Sequence, residues 1–269
     1  MRKVLKTRSN QNPAVRPFCV TPAIVLRSWP FGESDKIVSF FTEGYGKVNG
    51  IAKGAKRSRK RFVNTLEPFS LVNLSFRDRS NRGLAFVHAC DLVRPFRHLI
   101  TSLEKIAYAS YIVEITEGLS GEREENRALF EHLREGLVFL EEGEPTFSFL
   151  TFFELRLLRL AGYQPTLQQC RRCLKVWASG TRTRWYFSSR DGGILCESCA
   201  TLRKEILPVS VDALHVLKEL EKSSPAASQC VSCPEVVLKE SLTVLLKFIQ
   251  SLMNRELKSA PFLESFSLA

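Results

Sequence analysis

Four of the eight cysteines in this 269-residue chain are spaced to hold a metal ion. Cys170 and Cys173 are separated by two residues, as are Cys196 and Cys199, and 22 residues lie between the pairs. A Cys-x-x-Cys turn brings two thiolates to one ion, and two such turns complete a tetrahedral four-sulfur sphere. Residues 184–187, Asp191 to Gly193, and 194–195 read as strand, turn and strand, so the expected unit is a ribbon whose hairpin joins the two knuckles. The spacing is slightly longer than the common range, which a longer hairpin absorbs. Four thiolates leave no position for water, so the expected cofactor is one structural zinc, favoured over iron by the donor set. The third pair, Cys230 and Cys233, has no second pair left to join. It reads as free thiols in a linker, with replacement of one knuckle as the competing idea. Cys19 and Cys90 fall on predicted strands and are expected in a core.

The second constellation is cationic. Lys53, Lys56, Arg57, Arg59, Lys60 and Arg61 put six charges into nine residues. Gly54 and Ser58 let that backbone approach a phosphate chain, and the cations release condensed counterions on binding. Arg27, Lys36, Lys47, Arg77, Arg79 and Arg82 are nearby in sequence and extend the candidate nucleic-acid-binding set. Phe18, Trp29, Phe31, Tyr45 and Phe62 flank basic residues and are candidates for stacking on bases, each equally suited to a core. Met1 to Arg97 carries 19 Lys and Arg against 6 Asp and Glu, and the remainder carries 20 against 22. All of the net charge of +11 therefore belongs to the first third. Such asymmetry points to a polyanion, nucleic acid ahead of an anionic membrane surface.

No catalytic constellation accompanies these. Gly46 and Lys47 are followed by Val48, so there is no phosphate-binding P-loop, and GxSxG, HExxH and GxGxxG are absent. Lys53 lacks the aspartate two residues on that a nucleotidyl-transfer lysine requires. His88, His98, His132 and His215 do not begin the His-x-Glu of a zinc deaminase. The expectation is a protein that is not an enzyme. Residues 236–253 form the longest apolar stretch but contain Lys239, Glu240 and Lys247, so no membrane span is expected. The first residues lack the apolar run of a secretory signal, which makes the expected location cytoplasmic.

The elements that must position these groups divide the chain. Residues 1–17 hold five basic and no acidic residues and read as a basic flexible arm; a targeting peptide or a mis-assigned start would have the same composition. Residues 18–97 show short strands at 23–27, 37–42, 47–53, 72–76 and 84–89, the fourth with Val72, Leu74 and Phe76 on one face. Five strands in so short a span suit a closed barrel, an OB-fold first and an SH3-like barrel second. From residue 98 the period becomes helical. Leu99, Leu103, Ile106, Ser110 and Val113 form one stripe; Leu129, Leu133, Leu137 and Leu140 another; Phe149, Phe152, Phe153, Leu157 and Leu160 a third. Leu214, Leu217 and Leu220, then residues 237–257, supply two more, with Pro208 and Pro234 near the helix starts. The expected fold is α+β and multidomain: an OB-fold at 18–97, a helical bundle at 98–165 and 205–269, and an inserted four-cysteine ribbon at 166–204.

The order of these parts resembles the bacterial RecO recombination-mediator family. The carrying residues are Ala23 to Leu26, Gly32 to Asp35 with Ile37 and Val38, Thr42 to Lys47, Ala52 to Ala55, Leu66 to Phe69, Ala161 to Pro165 leading into Cys170, and Asp191 to Gly193 before Cys196. These residues run from 23 to 196, and the order of parts covers residues from about 20 to 260. The resemblance implies a non-enzymatic, nucleoid-associated protein that binds single- and double-stranded DNA and anneals complementary strands. It implies RecR as partner, the C-terminal tail of single-strand-binding protein as a second contact, and RecA as the indirect beneficiary. It also implies that Cys170, Cys173, Cys196 and Cys199 are zinc ligands. Arg127, Arg134, Arg156 and Arg159 are candidates for the basic rim of a groove that takes the acidic tail. The arm is longer than usual for the family, and Cys230 and Cys233 are not part of its pattern. The competing classes are an RNA-binding or translation-associated module and a metalloenzyme acting on a nucleobase.

Overall fold

A computed structural model describes residues 18–78, 83–178, 183–201, 203–228 and 230–266; the basic arm, Arg79 and Arg82 lie outside them. Five strands come first: β1 (Cys19–Phe31), β2 (Asp35–Thr42), β3 (Gly46–Ala52), β4 (Leu71–Arg77) and β5 (Ala85–Arg94). They close in the order β1-β2-β3-β5-β4, with β3 and β5 parallel and the other pairs antiparallel. This is the OB-fold. Alternation explains its two faces. Ala23, Val25, Phe40, Val72, Leu74 and Phe76 fill the barrel, while Ile24, Leu26 and Phe41 turn outward into the core of the helical body. Both faces of β1 are thus buried at residues 23–26, and the sequence there is an unbroken apolar run.

The helical body contains α1 (Leu103–Leu119), α2 (Arg127–Glu142), α3 (Phe147–Leu160), α4 (Glu197–Ala200), α5 (Val211–Leu220), α6 (Pro225–Ser228), α7 (Glu235–Met253) and α8 (Ala260–Phe266). Ser102, Asn126, Thr146 and Ser210 start α1, α2, α3 and α5 by accepting a backbone N–H of the first turn. The stripes proposed for α2 and α5 are buried, as are Phe149, Phe152, Phe153 and Leu157 of α3. The stripe proposed for α1 is only partly the core face. Leu99 and Val113 are buried, Ile106 and Ser110 are half-buried and Leu103 is 75% exposed, while residues 107–109 and 111–116 are all buried. A helix enclosed on most sides has no preferred apolar face, so its periodicity misleads.

Between α3 and α5 lies a three-stranded sheet, β6 (Trp185–Ser188), β7 (Gly193–Cys196) and β8 (Ile206–Val209), in the order β7-β6-β8. Pro208, expected at a helix start, sits instead on the edge strand β8 opposite Tyr186, where a missing N–H is tolerated. Pro234 does cap α7. Leu167, Trp177, Trp185, Phe187, Ile194 and Leu195 belong to the same apolar core as α1, α2, α3, α5 and α7. The ribbon is therefore embedded in the helical body.

The barrel is fastened to α1 and the segment after it. Arg27 lies 2.7 Å from Glu117, and the Lys47 ammonium donates to the carbonyls of Glu117 (3.1 Å) and Ser120 (3.4 Å) at the end of α1. A cation there also suits the negative end of the helix dipole. Asn49 donates to Glu122, Arg123 pairs with Asp78 and Arg127 with Glu43. Gly46 has φ +60°, and a Cβ there would collide with the backbone of Glu124. Gly46→Ala is expected to cost on the order of 2–4 kcal/mol, read as a lower urea midpoint at unchanged slope.

One buried acid makes stability depend on pH. The Tyr111 hydroxyl donates to Oε1 of Glu154, whose Oε2 has no hydrogen-bond partner among the described residues. Burial pushes the Glu154 carboxyl up to about 8, against the opposing effect of that hydrogen bond. The folded chain holds this proton more tightly than the unfolded one. Its contribution is therefore fully present below the ordinary value of 4.5 and is lost as pH rises towards 8. Glu154→Gln is expected to flatten the pH dependence of the unfolding free energy from urea titration between pH 5 and 8, where that of the parent falls by on the order of 1 kcal/mol per pH unit.

Candidate nucleic-acid interface and metal centre

The cationic segment leaves β3 at the left-handed Gly54 and passes through a single 3-10 turn at Ala55–Arg57. It is pinned to the β1–β2 turn. The Gly54 N–H donates to Asp35 Oδ1 (2.8 Å), the Lys56 N–H to the Ser34 carbonyl (2.9 Å), and the Lys56 ammonium to the Gly32 carbonyl (2.8 Å). The Gly54 N–H, the Ser34 hydroxyl and the charges of Lys53 and Lys56 hold the Asp35 carboxyl below its ordinary range. Arg61 closes the segment by donating to the carbonyls of Lys53 (3.0 Å) and His88 (3.5 Å). Lys53, Lys56, Arg57, Arg59, Lys60 and Arg61 are all exposed. The side chains of Arg57, Arg59 and Lys60 make no hydrogen bond or ion pair among the described residues.

The exposed rings Trp29 and Phe31, at 41% and 50%, stand on the same β1–β2 hairpin that receives Lys56. The structure thus brings two aromatic faces and a cationic loop to one end of the barrel. Phe18 lies elsewhere, 4.4 Å from the His88 ring and 4.3 Å beneath the Arg77 guanidinium, and Tyr45 packs edge-on against Phe76. Phe62 is buried in the barrel core and is not available for stacking. Arg27 and Lys47 fasten α1, and Lys36 pairs with Glu67 at 3.1 Å. These positioning roles were not visible in sequence, where a cation beside a strand gives no sign of its partner.

The four cysteines converge. Their sulfur atoms all lie within 4.8 Å of one another, with Cys173 and Cys196 at 3.5 Å. A tetrahedral ion with bonds of about 2.3 Å to sulfur needs edges of about 3.8 Å, so the donors fit one ion. The first knuckle turns at Leu174 with φ +61°, where the Leu174 N–H donates to the Cys170 carbonyl (3.0 Å). It is fixed to the second through β7: the Arg171 N–H donates to Ile194, and the Ile194 N–H to Thr166. Burial raises the Cys170 thiol, but the N–H groups of Cys173, Cys196 and Arg172 outweigh it and bring the value to about 6. Burial and the neighbouring thiols push Cys199 up to about 12. Four thiolates ionise side by side only around a cation. Cys230 is exposed and Cys233 half-buried, and neither belongs to this cluster.

A cationic OB-fold fastened to a helical body that embeds four converging thiols defines the class of protein. The comparisons give its family. The family model described as recombination protein O N terminal matches residues 16–96, and that described as recombination protein O C terminal matches residues 100–261. DNA repair protein RecO of Syntrophus aciditrophicus (strain SB) is 35% identical over 246 residues, covering 91% of this chain and 94% of that relative. The protein of the same name from Anaeromyxobacter sp. (strain K) is 34% identical over 241 residues, 90% of this chain and 94% of the relative. That of Caldanaerobacter subterraneus subsp. tengcongensis is 32% identical over 246 residues, 91% and 97% respectively. The chain belongs to the RecO family of DNA repair and recombination proteins. No helix among the described residues is long and apolar enough to cross a membrane.

Proposed function

We propose that this chain is a non-catalytic recombination mediator. It grips the backbone of single- and double-stranded DNA without reading sequence, anneals complementary strands, and with RecR helps load RecA onto DNA coated with single-strand-binding protein. The observation that carries this reading is the barrel end where Trp29 and Phe31 stand beside the cationic loop of Arg57, Arg59 and Lys60. Cations meet phosphates and rings meet bases, and neither contact distinguishes one base from another. Bound cations screen the repulsion between strands while the outer base edges stay free to pair. Lys53, Lys56 and Arg61 add charge to the same surface and shape the loop; Arg77 is a further, separate contact.

The ion suited to the four-thiol centre is one structural zinc, which supplies a rigid cross-link. The acidic, apolar tail of single-strand-binding protein fits a groove of about 680 Å³ between barrel and helices. Leu26, Phe69, Leu103, Ile106 and Phe262 line it, with Arg27 and Lys258 among its walls. The apolar lining and Lys258 support this groove over the rim named from sequence; Arg27 is paired with Glu117, as Arg127, Arg134 and Arg156 are with Glu43, Glu131 and Glu135.

The test compares DNA with RNA of equal length and varied sequence over a salt series. Affinity for DNA should fall steeply with salt and be indifferent to base order. A flat salt response, or a strong preference for RNA, would contradict the reading.

A further inference from the structure

The charge balance of residues 98–269 conceals a second basic module. Residues 166–209, the ribbon with its third strand, carry eight Lys and Arg against three Asp and Glu. The rest of residues 98–269 carries 12 against 19. The chain therefore has two cationic modules, barrel and ribbon, on an acidic helical frame. A polyanion is repelled by the frame and drawn to the modules.

On the ribbon the charges meet in a cleft of about 880 Å³, where the ends of β6 and the start of β8 face the last turns of α7. Arg190, Lys204 and Lys247 line it, are exposed, and make no ion pair among the described residues. Arg203 and Arg255 also line it but are held in place by Asp191 (2.9 Å) and Glu114 (3.3 Å). Gln250, Ser251 and Asn254 add neutral hydrogen-bonding groups, and no aromatic ring lines the cleft among the described residues. Glu205 and Glu256 on the wall make it unsuited to a compact, highly charged anion. A cleft with spaced cations, amides and hydroxyls but no stacking surface is built for sugar and phosphate alone.

We propose that this cleft is a second nucleic-acid site, which holds the backbone of the partner strand while the barrel holds the first. The inference rests on the annealing reading above. It gives that reading a geometry: one strand is stacked on the barrel, and the other is held only by its phosphates and free to rotate its bases into register.

The test is a triple variant, Arg190→Glu, Lys204→Glu and Lys247→Glu, with the Gln versions as a milder set if charge reversal disturbs folding. Binding of a fluorescent 20-nucleotide oligo-dT is measured for stoichiometry and salt dependence, and annealing of complementary oligonucleotides for rate. The parent should bind two strands per chain and the variant one. The parent's weaker step should carry a salt slope of about 2, at roughly 0.7 for each phosphate contact of the three cations, and the variant should lack that step. Annealing should slow by about tenfold or more, with first-strand affinity unchanged within about twofold. A variant that still binds two strands and anneals at the parent rate overturns the second site and leaves the barrel reading intact. So does a parent that binds one strand per chain. A parent that binds no DNA overturns the functional reading, and the second site falls with it.

Discussion

A chain carrying Cys196→Ser is expected to lose its metal and about 10 °C or more of thermal stability while its barrel still binds DNA below the new midpoint. Cys196 is 3% exposed and pairs across the hairpin with Trp185, whose ring lies in the core shared by α1, α3, α5 and α7. Removing one of four ligands opens the site, and the remaining thiolates repel one another. Metal binding contributes about 10–16 kcal/mol in isolated zinc-finger peptides; an embedded ribbon keeps part of its packing, so a loss of about 3–5 kcal/mol is expected. At roughly 2–4 °C per kcal/mol for a body of this size, that gives the stated shift. Barrel residues such as Phe40, Leu74 and Phe76 form a separate core, so the effect on DNA binding is secondary. Calorimetry with elemental analysis checks it, and a chelator should reproduce the shift in the parent. A metal-free variant with an unchanged midpoint would show that the thiols are not structural ligands.

The second large effect is on affinity. Arg57→Gln, Arg59→Gln and Lys60→Gln together are expected to weaken single-strand binding by about 10- to 100-fold near 0.1 M salt. The dependence of log affinity on log salt should flatten by about 2. These three side chains are exposed and make no hydrogen bond or ion pair among the described residues, so the midpoint of unfolding should move by less than about 2 °C. Lys56 and Arg61 are deliberately left in place, because they tie the loop to Gly32, Lys53 and His88, and their removal would confuse loss of charge with loss of shape. Trp29→Ala with Phe31→Ala should weaken binding without changing the salt slope, since stacking releases no counterions. Fluorescence anisotropy over a salt series separates the two. A triple variant with an unaltered slope would place the phosphates elsewhere.

Sequence carried the cysteine cluster better than it carried the frame. The cysteine spacing pointed to a convergence that the structure displays, because two knuckles on a hairpin have few other ways to bury their sulfurs. The barrel strands were legible from alternation, although β1 continues to Phe31 and β5 to Arg94, beyond the apolar residues that marked them. Their ends are mostly exposed, so side-chain pattern gives no boundary. On α1 the apolar stripe held for Leu99 and Val113 and failed for Leu103, since a helix surrounded by barrel, helices and the segment before α8 needs no polar face. Phe62 sits beside Arg61 in sequence but turns into the barrel, a choice made by chain direction and not by composition. The positive ribbon was hidden by averaging over an acidic frame. Arg27 and Lys47 looked like ligand contacts because their carboxylate and carbonyl partners lie some seventy or more residues away.

The central claim is that a cationic barrel end handles DNA strands without a reaction centre. Strand annealing of complementary oligonucleotides coated with single-strand-binding protein tests it most directly, with the parent and the Arg57, Arg59 and Lys60 variant side by side. The parent should anneal them without nucleotide hydrolysis, faster at low salt than at high, and the variant should fall close to the rate without protein. Equal rates for the two, or a parent that leaves the coated strands apart, would contradict the account.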